Sequence, residues 1–230
     1  PQAVDVRHYD AQVSASEREM WRMRAGAASG EPLVLFVGRL EREKGIELLL
    51  QAWHASGLAR RARLAIAGRG PLADAVSRAD DSVRMLGYLD PRELPALYAA
   101  ADLLVVPSIP TPTFLEPWGL VVNEALLQGT PVVASDAVGA VAGGLVQDGE
   151  TGITFPAGDV YALAARLSEL VAAPERRHSL GRAGREAARA LTASAWADGM
   201  ALALARAGVG RSAVSAHKQA RVMEREGALG

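Results

Sequence analysis

The 230-residue chain contains no cysteine, which excludes disulfide frameworks and thiolate-held metal sites and fits a reducing compartment. It lacks a surplus of either charge: 25 Lys and Arg against 26 Asp and Glu leave a formal net charge of −1. That removes the basic excess expected of a nucleic-acid binder. No apolar run approaches the roughly 20 residues of a membrane span. The start PQAVDVRHYD has neither a charged n-region nor an apolar h-region, so a cytoplasmic protein without a transmembrane segment is expected, with a peripheral position at the inner membrane face left open. His8, His54, His178 and His217 have none of the spacings of a metal site. There is no G-x-S-x-G nucleophile elbow and no Asp-x-Asp pair to hold a cation on a diphosphate.

What the chain does have is apolar residues, at half of its length, arranged in short continuous runs. PLVLFVG at 32–38, ARLAIAG at 62–68, SVRMLG at 82–87, DLLVVP at 102–107, TPVVAS at 130–135 and GITF at 152–155 suit strands buried on both faces. Between them apolar residues recur at helical spacing, as in Ile46, Leu49, Leu50 and Trp53, or Val160, Leu163, Ala164, Leu167, Leu170 and Val171. Alternation of this kind predicts an α/β fold, a Rossmann-like parallel sheet with helices on both faces. Ligands of such sheets sit at the carboxyl ends of the strands.

Residues 1–30 read as a lead-in, with a capping box of Ser16 and Glu19 opening a short helix around Trp21. A main domain is expected over 31–207. Residues 174–207 form its helical, Ala- and Arg-rich end, with Thr192 or Ser194 as a helix cap. Residues 208–230 lack an apolar face and read as a flexible tail.

The pair Glu116 and Glu124 brackets EPWGLVVNE, in the segment that follows the run DLLVVP. Eight residues span about 12 Å if helical, so one ligand can touch both carboxylates. Pro117, Trp118, Gly119 and Leu120 are expected to form the first helical turn, whose free N–H groups and dipole suit a phosphate. Asn123 and Glu124 interrupt an apolar helix that must lie against a sheet, and polar groups there need partners.

After the first run comes GRLEREKG, where Gly38 admits close backbone approach and Arg39 and Lys44 carry the charge to neutralise a diphosphate. The alternative is a charged loop of local ion pairs with Glu41 and Glu43, worth little. The second run ends in GRGPLA, so Gly68, Gly70 and Ala73 match a dinucleotide fingerprint, with Asp90 about 20 positions on. That match follows the second run rather than the first.

Taken in order, VGRLEREKG, AGRGP, MLGYLDPRELPALYAAADLLVVPS, EPWGLVVNEALLQGTPVVAS and DGETGITFPAGD closely resemble the nucleotide-sugar-binding half of the retaining family-4 (group 1) glycosyltransferases of GT-B fold, over about residues 30–205. The resemblance implies that Arg39 and Lys44 hold the donor diphosphate and that Glu116 faces the donor sugar. It further implies that Glu124 binds the ribose, that Gly119, Leu120 and Val121 lend amides to the phosphates, and that Tyr88 borders the base. It implies metal-independent transfer of a hexose from a nucleotide-diphosphate sugar, with retained configuration and no cofactor.

Three departures stand out. Relatives carry an acceptor-binding domain with a catalytic-site histidine ahead of this half, and only about 30 residues precede the first run here, so a fragment, or a separate acceptor subunit as partner, is expected. Gly143 and Gly144 stand where a carboxylate is common. The insert IPTPTFL at 109–115 lengthens the approach to Glu116. Alternatives are a non-catalytic nucleotide-binding partner subunit, a dinucleotide-binding oxidoreductase domain, and an epimerase of GT-B fold.

Overall fold

The computed structural model describes residues 2–207; the expected tail at 208–230 lies outside the described residues. Each of the six apolar runs becomes a strand: β1 (Leu33–Val37), β2 (Arg63–Ala67), β3 (Val83–Gly87), β4 (Leu103–Val106), β5 (Val132–Ser135) and β6 (Ile153–Phe155). All pairings are parallel, in the order β3-β2-β1-β4-β5-β6. The helices that cover the sheet are α1 (Val6–Tyr9), α2 (Ala15–Arg24), α3 (Ile46–Ser56), α4 (Ala73–Ser77), α5 (Leu94–Ala100), α6 (Leu120–Leu127), α7 (Gly139–Ala142), α8 (Val160–Val171) and α9 (Pro174–Arg189).

Successive side chains of a strand point to opposite faces, and in β1, β2, β4 and β5 both faces are buried, whereas the edge strand β3 is only partly covered and leaves Arg84 exposed. Val34 and Phe36 of β1 pack with Ile46, Leu49 and Trp53 of α3 and with Leu163 and Leu167 of α8. Leu33 and Leu35 of the same strand pack with Leu97 and Tyr98 of α5 and with Val122 and Leu126 of α6. This two-sided burial is why the strands read as unbroken apolar runs rather than as alternation.

The lead-in is part of the same core. Tyr9, Trp21 and Ala25 are buried against the α5 and α6 side of the sheet. Arg22 donates to Ala100 O (2.8 Å) and to Asp102 (3.0 Å), and Asp102 also accepts from Leu33 N–H (2.8 Å). Asp10 pairs with Arg185 and Arg189 of α9; burial works against its ionisation, but the two guanidinium groups outweigh it and hold its pKa below the usual value. The compact unit accordingly includes the lead-in and ends at Leu191, and a second unit begins at Thr192. That second unit holds α10 (Ala193–Arg206), whose first turn is capped by Thr192, accepting from Ala195 N–H at 3.0 Å.

The capping box of α2 lies two residues earlier than expected. Ser14 accepts from Glu17 N–H (3.2 Å) and Glu17 accepts from Ser14 N–H (2.9 Å). Both Ser14 and Ser16 stand three residues before a glutamate, so spacing alone did not separate them; burial of Val13 and Trp21 decides the helix entry.

β1 lies between β2 and β4, so the chain leaves it in opposite directions along the sheet. This reversal opens a crevice beyond the carboxyl ends of β1 and β4.

Candidate functional site

Two loops meet in that crevice. After β1 the chain runs through Gly38 and Arg39 into a short 3-10 turn at Arg42–Lys44, and Gly45 at φ 72° opens α3. A Cβ on Gly45 would lie 1.9 Å from Pro107 O, so only glycine permits this approach of the first loop to the loop after β4. Ile109 N–H donating to Glu43 O at 2.9 Å fastens the two together.

This junction brings Lys44 to Glu116. The Lys44 ammonium donates to Glu116 Oε2, and Ser108 Oγ donates to the same oxygen at 3.1 Å. Lys44 keeps 18% side-chain exposure and Glu116 9%, so both charges are largely withdrawn from water. Ser108 is itself held by Ser135 Oγ, which donates to its carbonyl. The insert at 109–115 turns tightly, with Thr111 and Phe114 bonded to each other, and sets the Phe114 ring 4.9 Å from the Lys44 ammonium.

Arg39 is arranged differently. Its guanidinium pairs with Glu41 and Glu43 and its side chain is 56% exposed, so these contacts are the weak surface pairs of the charged-loop alternative. They leave the group free to swing toward an incoming anion.

Helix α6 begins at Leu120 rather than at Pro117. Gly119 sits at φ 82° as its N-cap, while Trp118 turns inward. The indole of Trp118 donates to Asn123 Oδ1 at 2.7 Å, and Asn123 donates to Gln2 O at 3.1 Å. These are the partners that a polar residue inside this helix requires. Glycines 139 and 143 make room for Trp118: a Cβ on Gly143 would meet its ring at 2.3 Å. Gly143 thus leaves room for a buried indole, while nothing lies within 4 Å of a Cβ on Gly144.

A cavity of about 370 Å³ lies between these elements, and Gly38, Arg39, Lys44, Ser108, Glu116, Gly119, Leu120 and Val121 are among its lining. A second hollow of about 350 Å³ shares Val37, Gly38 and Arg39 with it and holds Tyr88. Tyr88 is 63% exposed, and Arg69 stacks over its ring at 4.8 Å. Arg39 therefore stands on the wall common to two adjoining hollows. Ser108 and Arg69 escaped the sequence reading; each is the second residue beyond a strand end, the only signal that marks them.

Glu124 does not line either hollow. It lies one turn along the α6 face that Leu120 and Val121 present to the cavity, and it is 9% exposed. Its carboxylate accepts from Tyr98 Oη at 2.6 Å, and the Tyr9 hydroxyl stands against it as well. Burial pushes its pKa above the usual carboxylate value, and the two tyrosine hydroxyls partly offset that push. A raised native pKa means that ionisation costs stability: the cost is absent below the unfolded value near 4.5 and accumulates as pH rises through the folded value. Glu124→Gln is therefore expected to melt higher than the parent at pH 7 to 8, by about 2–4 °C per kcal/mol relieved, with the difference vanishing toward pH 4. A Tm difference that stays constant from pH 4 to 8 would contradict this origin.

The dinucleotide alternative finds another explanation. A Cβ on Gly68 would lie 1.8 Å from Gly38 O, and one on Gly70 2.6 Å from Leu40 O. These glycines let the loop after β2 run beside the loop after β1, where Gly38 N–H bonds Ala67 O and Leu40 N–H bonds Arg69 O. Asp90 is engaged at the entry to α5, where hydrogen bonds from the Arg92 side chain and N–H hold its pKa at about 2. Among the described residues no group of three His, Asp or Glu side chains is placed to hold a metal ion, and no helix is long and apolar enough to cross a membrane.

Residues 17–187 match the family described as Glycosyl transferases group 1. The chain belongs to that family. Among its group 1 relatives, D-inositol 3-phosphate glycosyltransferase of Nocardia farcinica is 33% identical over 201 residues, 79% of this chain and 41% of the relative. Sulfoquinovosyl transferase of Arabidopsis thaliana is 36% identical over 175 residues, 71% of this chain and 32% of the relative. The solved sucrose-phosphate synthase of Thermosynechococcus elongatus superposes with a TM-score of 0.72 at 31% identity, over 90% of this chain and 52% of that one. An Anabaena protein, HepE, solved in complex with UDP, superposes with a TM-score of 0.72 at 25% identity, over 89% of this chain and 56% of that one. The group 1 chain thus spans about a third to two fifths of the length of these two curated relatives.

Proposed function

We propose that the chain is the donor half of a glycosyltransferase, binding a nucleotide-diphosphate sugar for metal-independent transfer of a hexose with retained configuration. The observation that carries this reading is the convergence of Lys44, Arg39, Glu116 and the Gly119–Val121 turn on one cavity at the reversal point of the sheet. The complex of the Anabaena relative with UDP supports the class of ligand. The acceptor half would be a separate domain or subunit, in keeping with the share of its relatives that the chain spans.

In this reading the diphosphate takes the Lys44 ammonium from Glu116, and Arg39 leaves its weak pairs with Glu41 and Glu43 to join it. Amides of Leu120 and Val121, unpaired at the start of α6, supply neutral donors to the same group. Release of Lys44 leaves Glu116 free to accept hydroxyls of the donor sugar, with Ser108 still holding one oxygen. Transfer breaks the bond from the anomeric carbon to the diphosphate oxygen and forms one from that carbon to an acceptor hydroxyl oxygen on the same face, whose proton passes to the departing diphosphate. Negative charge grows on the departing diphosphate, where fixed donors in a dry site stabilise it most. The base would lie in the second hollow against Tyr88, and the ribose between the two.

Calorimetric titration with UDP and GDP tests the reading. Saturable binding of one of them, weakened at least tenfold by Lys44→Met, is expected; absence of binding of both would overturn the reading.

A further inference from the structure

Glu124, for which the family resemblance implies contact with the ribose, is not a free carboxylate: it is held by the helix before β4. Tyr98 on α5 is wholly enclosed, its backbone carbonyl accepts from Thr130 Oγ1 at 2.7 Å, and its hydroxyl reaches Glu124 Oε2 at 2.6 Å. Its ring is wedged beside that of Tyr9, with centroids 6.5 Å apart, so its hydroxyl has one place to point. An acidic side chain with two rotatable bonds before its carboxyl plane is thereby fixed through one oxygen, on the helix face that Leu120 and Val121 carry into the cavity.

We propose that Tyr98 is a positioning residue for ribose selectivity, fixing one oxygen of Glu124 so that the other is presented to the vicinal 2′,3′-hydroxyls of a ribonucleotide. The inference rests on the donor-site reading and deepens it. A carboxylate is an acceptor only and suits a diol, which has two hydroxyls to donate. A site built to pair a hydroxyl rejects the analogue that lacks it, because the buried acceptor is then left without a partner. Rigidity is what makes the rejection effective, since a mobile carboxylate turns to water instead.

The ionisable groups that face Glu124 are Tyr98 from α5 and Tyr9 and His8 from α1. Helix α9 and strands β4 and β5, which also pack on α6, contribute none to its shift. Each tyrosine hydroxyl donates toward the carboxylate and favours its charged form. Removing one moves the titration of Glu124 upward, so that the carboxylate is lost at a higher pH on acidification.

The test compares UDP and GDP with their 2′-deoxy analogues by calorimetry, for the full chain and for Tyr98→Phe, which keeps the ring and the packing. The parent is expected to prefer the ribonucleotide. Tyr98→Phe is expected to weaken ribonucleotide binding about tenfold and the 2′-deoxy analogue less than about twofold, a coupling of the size of one charge-assisted hydrogen bond. The pH at which the ribose preference fades on acidification should also move upward in Tyr98→Phe, and should be absent from the profile of Glu124→Gln. A loss shared equally by both nucleotides, or an unchanged ratio with a lowered Tm, would overturn the inference and assign Tyr98 to stability alone. If the parent binds none of the four nucleotides, the donor-site reading itself fails, an outcome distinct from a parent that binds them with a ratio Tyr98 does not alter.

Discussion

Lys44→Met should remove most binding of the nucleoside diphosphate and lower sugar transfer, assayed with an acceptor half supplied, by about 10²- to 10³-fold. Two cations serve the cavity, but they are not equivalent. Arg39 is 56% exposed and already shared between Glu41 and Glu43, so water and neighbouring carboxylates screen it. Lys44 has 18% exposure and acts where the effective dielectric is low. Its loss also leaves Glu116, at 9% exposure, with Ser108 as its side-chain donor. Breaking a buried pair from one side costs about 3–5 kcal/mol, and the residual exposure of Lys44 reduces that. The single variant is therefore expected to melt lower as well. Lys44→Met combined with Glu116→Gln separates the two effects: the Tm recovers because no charge is stranded, while the diphosphate still does not bind. A calorimetric Kd unchanged in the single variant would remove Lys44 from the diphosphate site.

Gly45→Ala should be the most damaging single methyl group in the site. The residue sits at φ 72°, where a side chain costs about 1–2 kcal/mol. In addition its Cβ would lie 1.9 Å from the backbone oxygen of Pro107, and backbone cannot turn aside as a flexible side chain does. The loops after β1 and β4 must part, at a total cost of about 3 kcal/mol or more, read as a fall in Tm of roughly 6–12 °C. Because one loop carries Lys44 and the other leads to Glu116, nucleotide affinity should fall with stability. Gly57→Ala is the control: its φ is 65° and nothing lies within 4 Å of the added Cβ, so it should cost only the strain and leave binding intact. Equal losses for the two variants would show that backbone strain, not the approach of the loops, accounts for Gly45.

The fold was legible because its signal is redundant. Six apolar runs bounded by Gly, Pro or Asp each became a strand, and two-sided burial explains the absence of alternation in the four central strands, while the partly covered edge strand β3 carries the exposed Arg84. Lys44, Glu116 and the Gly119–Val121 turn were legible as candidates because they lie in the strand-to-helix segments after β1 and β4, and all line one cavity. The short helix α1 went unread: four residues capped by Asp5 contain less than one apolar repeat. The division at Leu191 also escaped, since helical periodicity runs on both sides of it.

Composition and local pattern alone determined the parallel sheet, its loop-borne cations and the paired acids, because strand burial and helix periodicity are written in nearest neighbours. Which acid meets which partner was decided by tertiary structure. Glu116 and Glu124 are eight positions apart on one segment, yet the first is drawn to Lys44 by a contact between two loops that only Gly45 allows. The second is drawn to Tyr98 by the packing of α5 against α6. Contacts between residues 72 and 26 positions apart depend on how the sheet is ordered, and no local pattern encodes that.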